Sequence, residues 1–232
     1  MLDDEACLGA SMKSELEAQA KKYLSDIRLF RYLDFVDPLE VYFNNLIISE
    51  KLLGMISVFE VVFRNKINIV LKDEFGDNYL TNSNLHVFNP KEKRIIQGAI
   101  KKACKTGVKI KESRILSELT IGFWCRLIEK HSLWIKCLHK IHLNRQSVKF
   151  KMFVKKVRLI ADVRNKVAHH ERIIKKRPYN IKNILNTITD ETLLLIDDSD
   201  NNFKQHIKQY TNSVSVDIQF IISKSQKKRG HV

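Results

Sequence analysis

An arginine, an amide, two imidazoles and a carboxylate fall within one decapeptide, Val163-Arg164-Asn165-Lys166-Val167-Ala168-His169-His170-Glu171-Arg172. Histidine exchanges a proton near neutral pH and arginine is a fixed cation with a planar fork of donors, so together they suit proton transfer beside a phosphate. On a helix, Asn165 and His169 are four apart and share a face, whereas Arg164 and His169 are five apart and diverge. One helix end therefore converges these groups poorly. A two-fold axis past the segment would bring Arg164 of one subunit toward His169 of its partner, so a homodimer would build a composite site.

The elements that must position this segment are helical by composition. Across 232 residues there are only seven Gly and three Pro against 44% hydrophobic residues, too little turn punctuation for an all-β or α/β chain of this size. The expectation is all-α, with residues 1–223 as one domain and 224–232, carrying Lys227, Lys228 and Arg229, as a disordered basic tail. Lys and Arg outnumber Asp and Glu by 41 to 26, a formal charge of +15, which points to polyanionic partners, nucleic acid before anionic membrane. The longest apolar region, Leu46 to Phe63, is interrupted by Glu50, Lys51 and Glu60 and reads as a buried helix, not a membrane span. The acidic start, Met1 to Glu5, is unlike a secretory signal, and Cys7, Cys104, Cys125 and Cys137 make no CxxC pair; a cytoplasmic protein with reduced thiols is expected.

Along the chain, the Ser14-to-Glu17 capping box opens a helix toward Phe30, and Asp37-Pro38 starts another that runs to about Phe75, either unbroken or interrupted near Gly54. Asn89-Pro90 starts a helix to about Lys105 with Lys91, Lys93, Arg94, Lys101 and Lys102 on a basic face. Ile115 to Leu138 has an aromatic load suited to burial, with Trp124 and Trp134 read as core in preference to base-stacking platforms. Ser147 to about His170 has the helical period that puts the decapeptide on a helix. Pro178 to Asp197 and Phe203 to Ile222 fit two more, although Ser213 to Ile222 also alternates like a strand. Cys137, His139 and His142 lack a further ligand and read as structural, and no metal or other cofactor is expected.

Arg164 through His169 resembles the arginine, four to six residues, histidine motif of the HEPN superfamily of helical ribonucleases. Arg164-Asn165 with Ala168-His169-His170-Glu171 is similar to the signature of its Abi-like (abortive infection) proteins. Glu60 with Arg64-Asn65, followed by Phe75 to Tyr79, resembles a second block of that family, and Gly122-Phe123-Trp124 a third, so the likeness spans roughly residues 40 to 175. It implies a HEPN-type helical bundle with additional helices, acting as a homodimer that cuts RNA without metal, in the role of a toxin or phage-defence effector restrained by an RNA or protein antitoxin. In some relatives a tyrosine two residues beyond the motif histidine is adenylylated by the antitoxin; here that place holds Glu171, which argues against silencing by that route.

Under that resemblance His169 takes a proton from a ribose 2′-OH, which attacks the adjacent phosphate while Arg164 stabilises the developing charge. Asn165 orients His169 or a phosphate oxygen, and His170 is either the leaving-group acid or a packed neighbour. Glu60 and Arg64, four apart, pair on one face as electrostatic support, with Asn65 and Glu171 beside them. Lys166 and, beyond the motif, Lys175, Lys176 and Arg177 are the candidate RNA contacts. Two simpler readings compete: a helix end in which Asn caps and His favours the dipole, and a non-catalytic RNA-binding or scaffold protein that uses these helices to dimerise.

Overall fold

The computed structural model describes residues 15, 18–33, 35, 37–82, 86–104, 111–142, 149–174 and 181–227. Among them every regular element is helical and the fold is all-α: α1 (Asp26–Phe30), α2 (Pro38–Phe75), α3 (Pro90–Cys104), α4 (Glu112–Glu118), α5 (Ile121–Ile128), α6 (His131–Lys136), a 3-10 turn (Leu138–Ile141), α7 (Phe150–Ala168), α8 (Ile181–Leu194) and α9 (Asn201–Lys227). Residues 18–24 are also helical. No helix among the described residues is long and apolar enough to cross a membrane.

The organising element is α2, 38 residues long. Asp37 Oδ1 accepts the Glu40 amide at 2.9 Å and Pro38 occupies the first turn, where its missing N–H costs nothing. Gly76, at φ 84, ends the helix and returns its N–H to Lys72 O. Gly54 does not interrupt it. Helices α5, α7, α8 and α9 all pack on α2, and that burial outweighs the roughly 1 kcal/mol that one interior glycine costs. Gly54 also admits the Tyr210 hydroxyl of α9, which would lie 2.5 Å from an added Cβ.

A ladder of aromatic rings joins α2, α6 and α7: Phe59 stacks on Phe63 at 5.2 Å between centroids, Phe63 meets Phe153 edge-on, and Trp134 lies 5.4 Å from Phe153. Trp124 and Trp134 are both buried, as core residues are. The apolar stretch from Ile115 to Leu138 is divided into three short helices and a 3-10 turn. Six of the eight residues of α5 are buried, and an element apolar on nearly every side must be enclosed by neighbours, which short segments that change direction achieve.

Two expectations shift at the ends of the chain. The first helix does not run on to Phe30: Ser25, at φ 69 and ψ 145, turns the backbone before α1. That turn sets Leu29 and Tyr32 into the core and leaves Tyr23 and Ile27 at the surface. The stretch from Ser213 to Ile222 is helical, with Ile207, Thr211, Val214 and Ile218 buried at helical spacing and Val216, which a strand would have turned inward, 66% exposed. Helix α9 continues to Lys227, into the segment read as a tail; residues 228–232 lie outside the described ones.

Candidate functional site

Helix α7 carries the decapeptide because Phe153, Val157, Ile160, Val163 and Val167 form one buried stripe against α2, α5 and α8. That stripe fixes the rotation of the helix and turns Arg164 toward α2, where its Nε donates to Glu60 Oε1 at 3.1 Å. Both partners are about a third exposed, at 36% and 28%, so the pair spans the rim of the α2–α7 interface. The within-helix pair expected of Glu60 and Arg64 is not made: the carboxylate turns to Arg164, and the Arg64 Nε is buried without a hydrogen-bond partner. Asn65 is exposed one residue on, and the neighbouring Lys66 pairs with Asp197 at 2.7 Å.

The end of α7 is a Schellman cap. His169 N–H donates to Asn165 O, His170 N–H to Val167 O at 3.2 Å and Glu171 N–H to Lys166 O at 2.8 Å, with His170 in the left-handed region at φ 54. Glycine is the usual occupant of that place, and histidine is among the side chains that tolerate it better than most. This geometry separates the two imidazoles. His169 closes the helix and His170 makes the turn; both are exposed. Asn165 and Glu171 are exposed too, Lys166 is half-buried, and Lys175, Lys176 and Arg177 lie outside the described residues.

What holds the chain beyond the cap is Asn45, fully buried on α2. Its Oδ1 accepts the amides of Ile173 at 2.7 Å and Ile174 at 3.1 Å, and its Nδ2 donates to Glu171 O at 3.2 Å. Two amides and one carbonyl of an extended segment with no helix or sheet partner are thereby satisfied by one side chain. Sequence reasoning overlooked Asn45, yet a signal was there: it stands at helical spacing from Val41, Ile48 and Leu52, a polar residue in a core-facing register. Arg172 is the other residue overlooked. Its Nε donates to Ile174 O, its guanidinium reaches Arg31 O, and its plane lies over the rings of Tyr32 and Phe35 at 5.8 and 5.5 Å. It ties the segment after the cap to α1.

Between α1 and the cap lies a cavity of about 330 Å³, lined on one side by Arg28, Arg31 and Tyr32 and on the other by His169, His170 and Arg172. Of the lining residues only Glu171 is acidic. Arg164 is not among them. Within this chain, then, His169 opens into a cationic cavity while Arg164 is held at the α2 interface by Glu60.

Comparison with protein-family models, with curated proteins and with solved structures finds no match to this chain. Function therefore rests on the chemistry of the side chains. Cys137, His139 and His142 act as packing groups: Cys137 Sγ donates to Leu133 O, His139 Nδ1 lies 3.0 Å from Trp134 O, and His142 is buried edge-on to Phe153 at 4.3 Å. Burial raises the Cys125 and Cys137 thiols to about 12 and about 11, so neither is a thiolate nucleophile at neutral pH. No group of three or more His, Cys, Asp or Glu able to hold a metal ion occurs among the described residues.

Proposed function

We propose that this chain is a metal-independent endoribonuclease of the HEPN, Abi-like type, an abortive-infection effector acting on RNA as a homodimer. The observation that carries the reading is the setting of His169: an exposed imidazole at a helix end, opening into a cavity with three arginines and one carboxylate. His169 as general base removes the proton from a ribose 2′-OH; the oxygen attacks the adjacent phosphorus, the bond from phosphorus to the 5′ oxygen of the next nucleotide breaks, and that oxygen takes a proton from His170 or from solvent. The products are a 2′,3′-cyclic phosphate and a 5′-OH. Arg164, oriented by Glu60, meets the charge developing on the phosphoryl oxygens. Since Arg164 lies outside the cavity of its own subunit, the reading takes His169 from one subunit and Arg164 from its partner.

A second reading is favoured by the structural work that these residues do. Arg164 bridges two helices and His170 forms a cap, both jobs that a non-catalytic RNA-binding or scaffold protein also needs. Incubation of a labelled RNA pool in EDTA with wild type and His169→Ala, followed by analysis of the 3′ ends, separates the two. Cyclic phosphates made by wild type alone support the ribonuclease. RNA bound equally by both proteins and cut by neither supports the scaffold.

A further inference from the structure

The cavity between α1 and the cap of α7 has features that proton transfer by His169 does not use. Arg28 and Arg31 are exposed on or just past α1, and neither makes an ion pair among the described residues. Arg172 cannot turn to a ligand freely, because its guanidinium is occupied by Ile174 O and Arg31 O and by the two rings beneath it. It serves as wall and strut. Behind these cations, Tyr32 is 2% exposed and its buried hydroxyl has no hydrogen-bond partner. Burial raises that phenol to about 12, despite the arginines nearby, so it remains a neutral O–H donor at neutral pH. A buried donor with nothing to donate to is costly, and because Tyr32 lines the cavity, an anionic oxygen there would relieve it once the ring turns its now shielded hydroxyl toward that space.

We infer that this cavity is a subsite for a single phosphodiester of single-stranded RNA next to the one being cut, with Arg28 and Arg31 as its phosphate contacts and the Tyr32 hydroxyl as a further donor. The inference rests on the ribonuclease reading for the identity of the ligand. A space of about 330 Å³ has room for one nucleotide unit, and the in-line 2′-OH attack of the ribonuclease reading needs an unpaired strand. Three guanidinium groups against the single carboxylate of Glu171 leave the cavity net positive, and the phosphate must enter beside His169, which shares the wall. The segment preceding α2, which lies outside the family likeness, thereby contributes substrate positioning.

The test uses a fluorescent 2′-O-methyl oligoribonucleotide, whose blocked 2′ oxygen prevents cleavage, so binding is read apart from chemistry. For Arg28→Ala/Arg31→Ala the expected result is binding about tenfold weaker, with the slope of log K against log salt shallower by about 0.7, the one phosphate that both arginines hold. Arg28→Lys/Arg31→Lys restores the slope. Tyr32→Phe weakens binding about threefold without changing the slope, since no charge is lost. An equal loss from Lys182→Ala/Lys208→Ala, exposed cations of α8 and α9, would overturn the inference, because it would show general charge and no subsite. So would an unchanged double-arginine variant. If native RNA is cut in EDTA by wild type and by the double variant with the same KM, the subsite falls and the ribonuclease stands. If RNA is bound in the Arg28- and Arg31-dependent way but never cut, the ribonuclease falls and the cavity stands only as an RNA phosphate site.

Discussion

Arg164 and Glu60 meet across the α2–α7 interface, Nε to Oε1 at 3.1 Å, with both side chains still reached by solvent. Partial exposure limits what the pair adds to folding, about 0.5–1 kcal/mol after solvent screening. Glu60→Gln is expected to lower stability by no more than that in urea unfolding. Its larger effect falls on orientation: if Arg164 serves the reaction, Glu60→Gln lowers kcat about tenfold and leaves KM for RNA nearly unchanged. Equal changes in kcat and KM for Glu60→Gln would remove the orienting role.

Asn45 is the residue on which the end of the motif depends for its backbone. Replacing it with Ala strands the amides of Ile173 and Ile174 inside the protein, at a cost of about 2–4 kcal/mol. Hydrogen exchange should show the Ile173 and Ile174 amides losing protection in Asn45→Ala ahead of the α2 core. Retained protection at both would mean that another acceptor had replaced it.

His170 is strained and His169 is not, which divides two adjacent and chemically identical side chains. At φ 54, His170→Gly relieves the left-handed conformation and is expected to raise stability by about 0.5–1 kcal/mol, whereas His170→Val lowers it by more. Under the assignment of His169 as the base, His170→Gly retains most of the cleavage and His169→Ala loses it. Loss of cleavage in His170→Gly with the fold intact would reverse the assignment.

His142 makes the protein sensitive to acid. Burial, with Lys156 adding repulsion, lowers its imidazole from near 6.5 to about 4. The folded form therefore resists protonation that the unfolded chain accepts. The stability this contributes is complete above about pH 6.5 and is lost as pH falls toward 4, with a slope of up to about 1.4 kcal/mol per pH unit. Urea midpoints measured across that window should fall with pH in the wild type and flatten in His142→Leu.

Much of the fold could be read from local chemistry. The Asp37-Pro38 cap predicted the start of α2, and Asn89 and Glu92 form the reciprocal capping box, with both bonds at 2.9 Å, where Asn89-Pro90 marked a helix start. The stripe from Phe153 to Val167 placed the motif on a helix. Contacts distant in sequence were harder. Glu60 has Arg64 one turn away, and periodicity alone selects that neighbour; only the packing of α7 on α2 brings Arg164, 104 residues on, within reach. Ser25 carries no glycine or proline to mark the turn before α1, so the part of α1 in the cavity wall was hidden. The roles of Asn45 and Arg172 depend on an extended segment that has no period to read.

The proposed composite site, with His169 from one subunit and Arg164 from its partner, is open to subunit complementation. Arg164→Ala and His169→Ala, each inactive alone, are co-expressed and assayed on RNA in EDTA for 2′,3′-cyclic phosphate ends. A composite site leaves one intact pairing in each mixed dimer, so cleavage returns to roughly a quarter of the wild-type level. No return of cleavage in isolated mixed dimers, beside an active wild type, would contradict the shared site; an inactive wild type would contradict the ribonuclease itself.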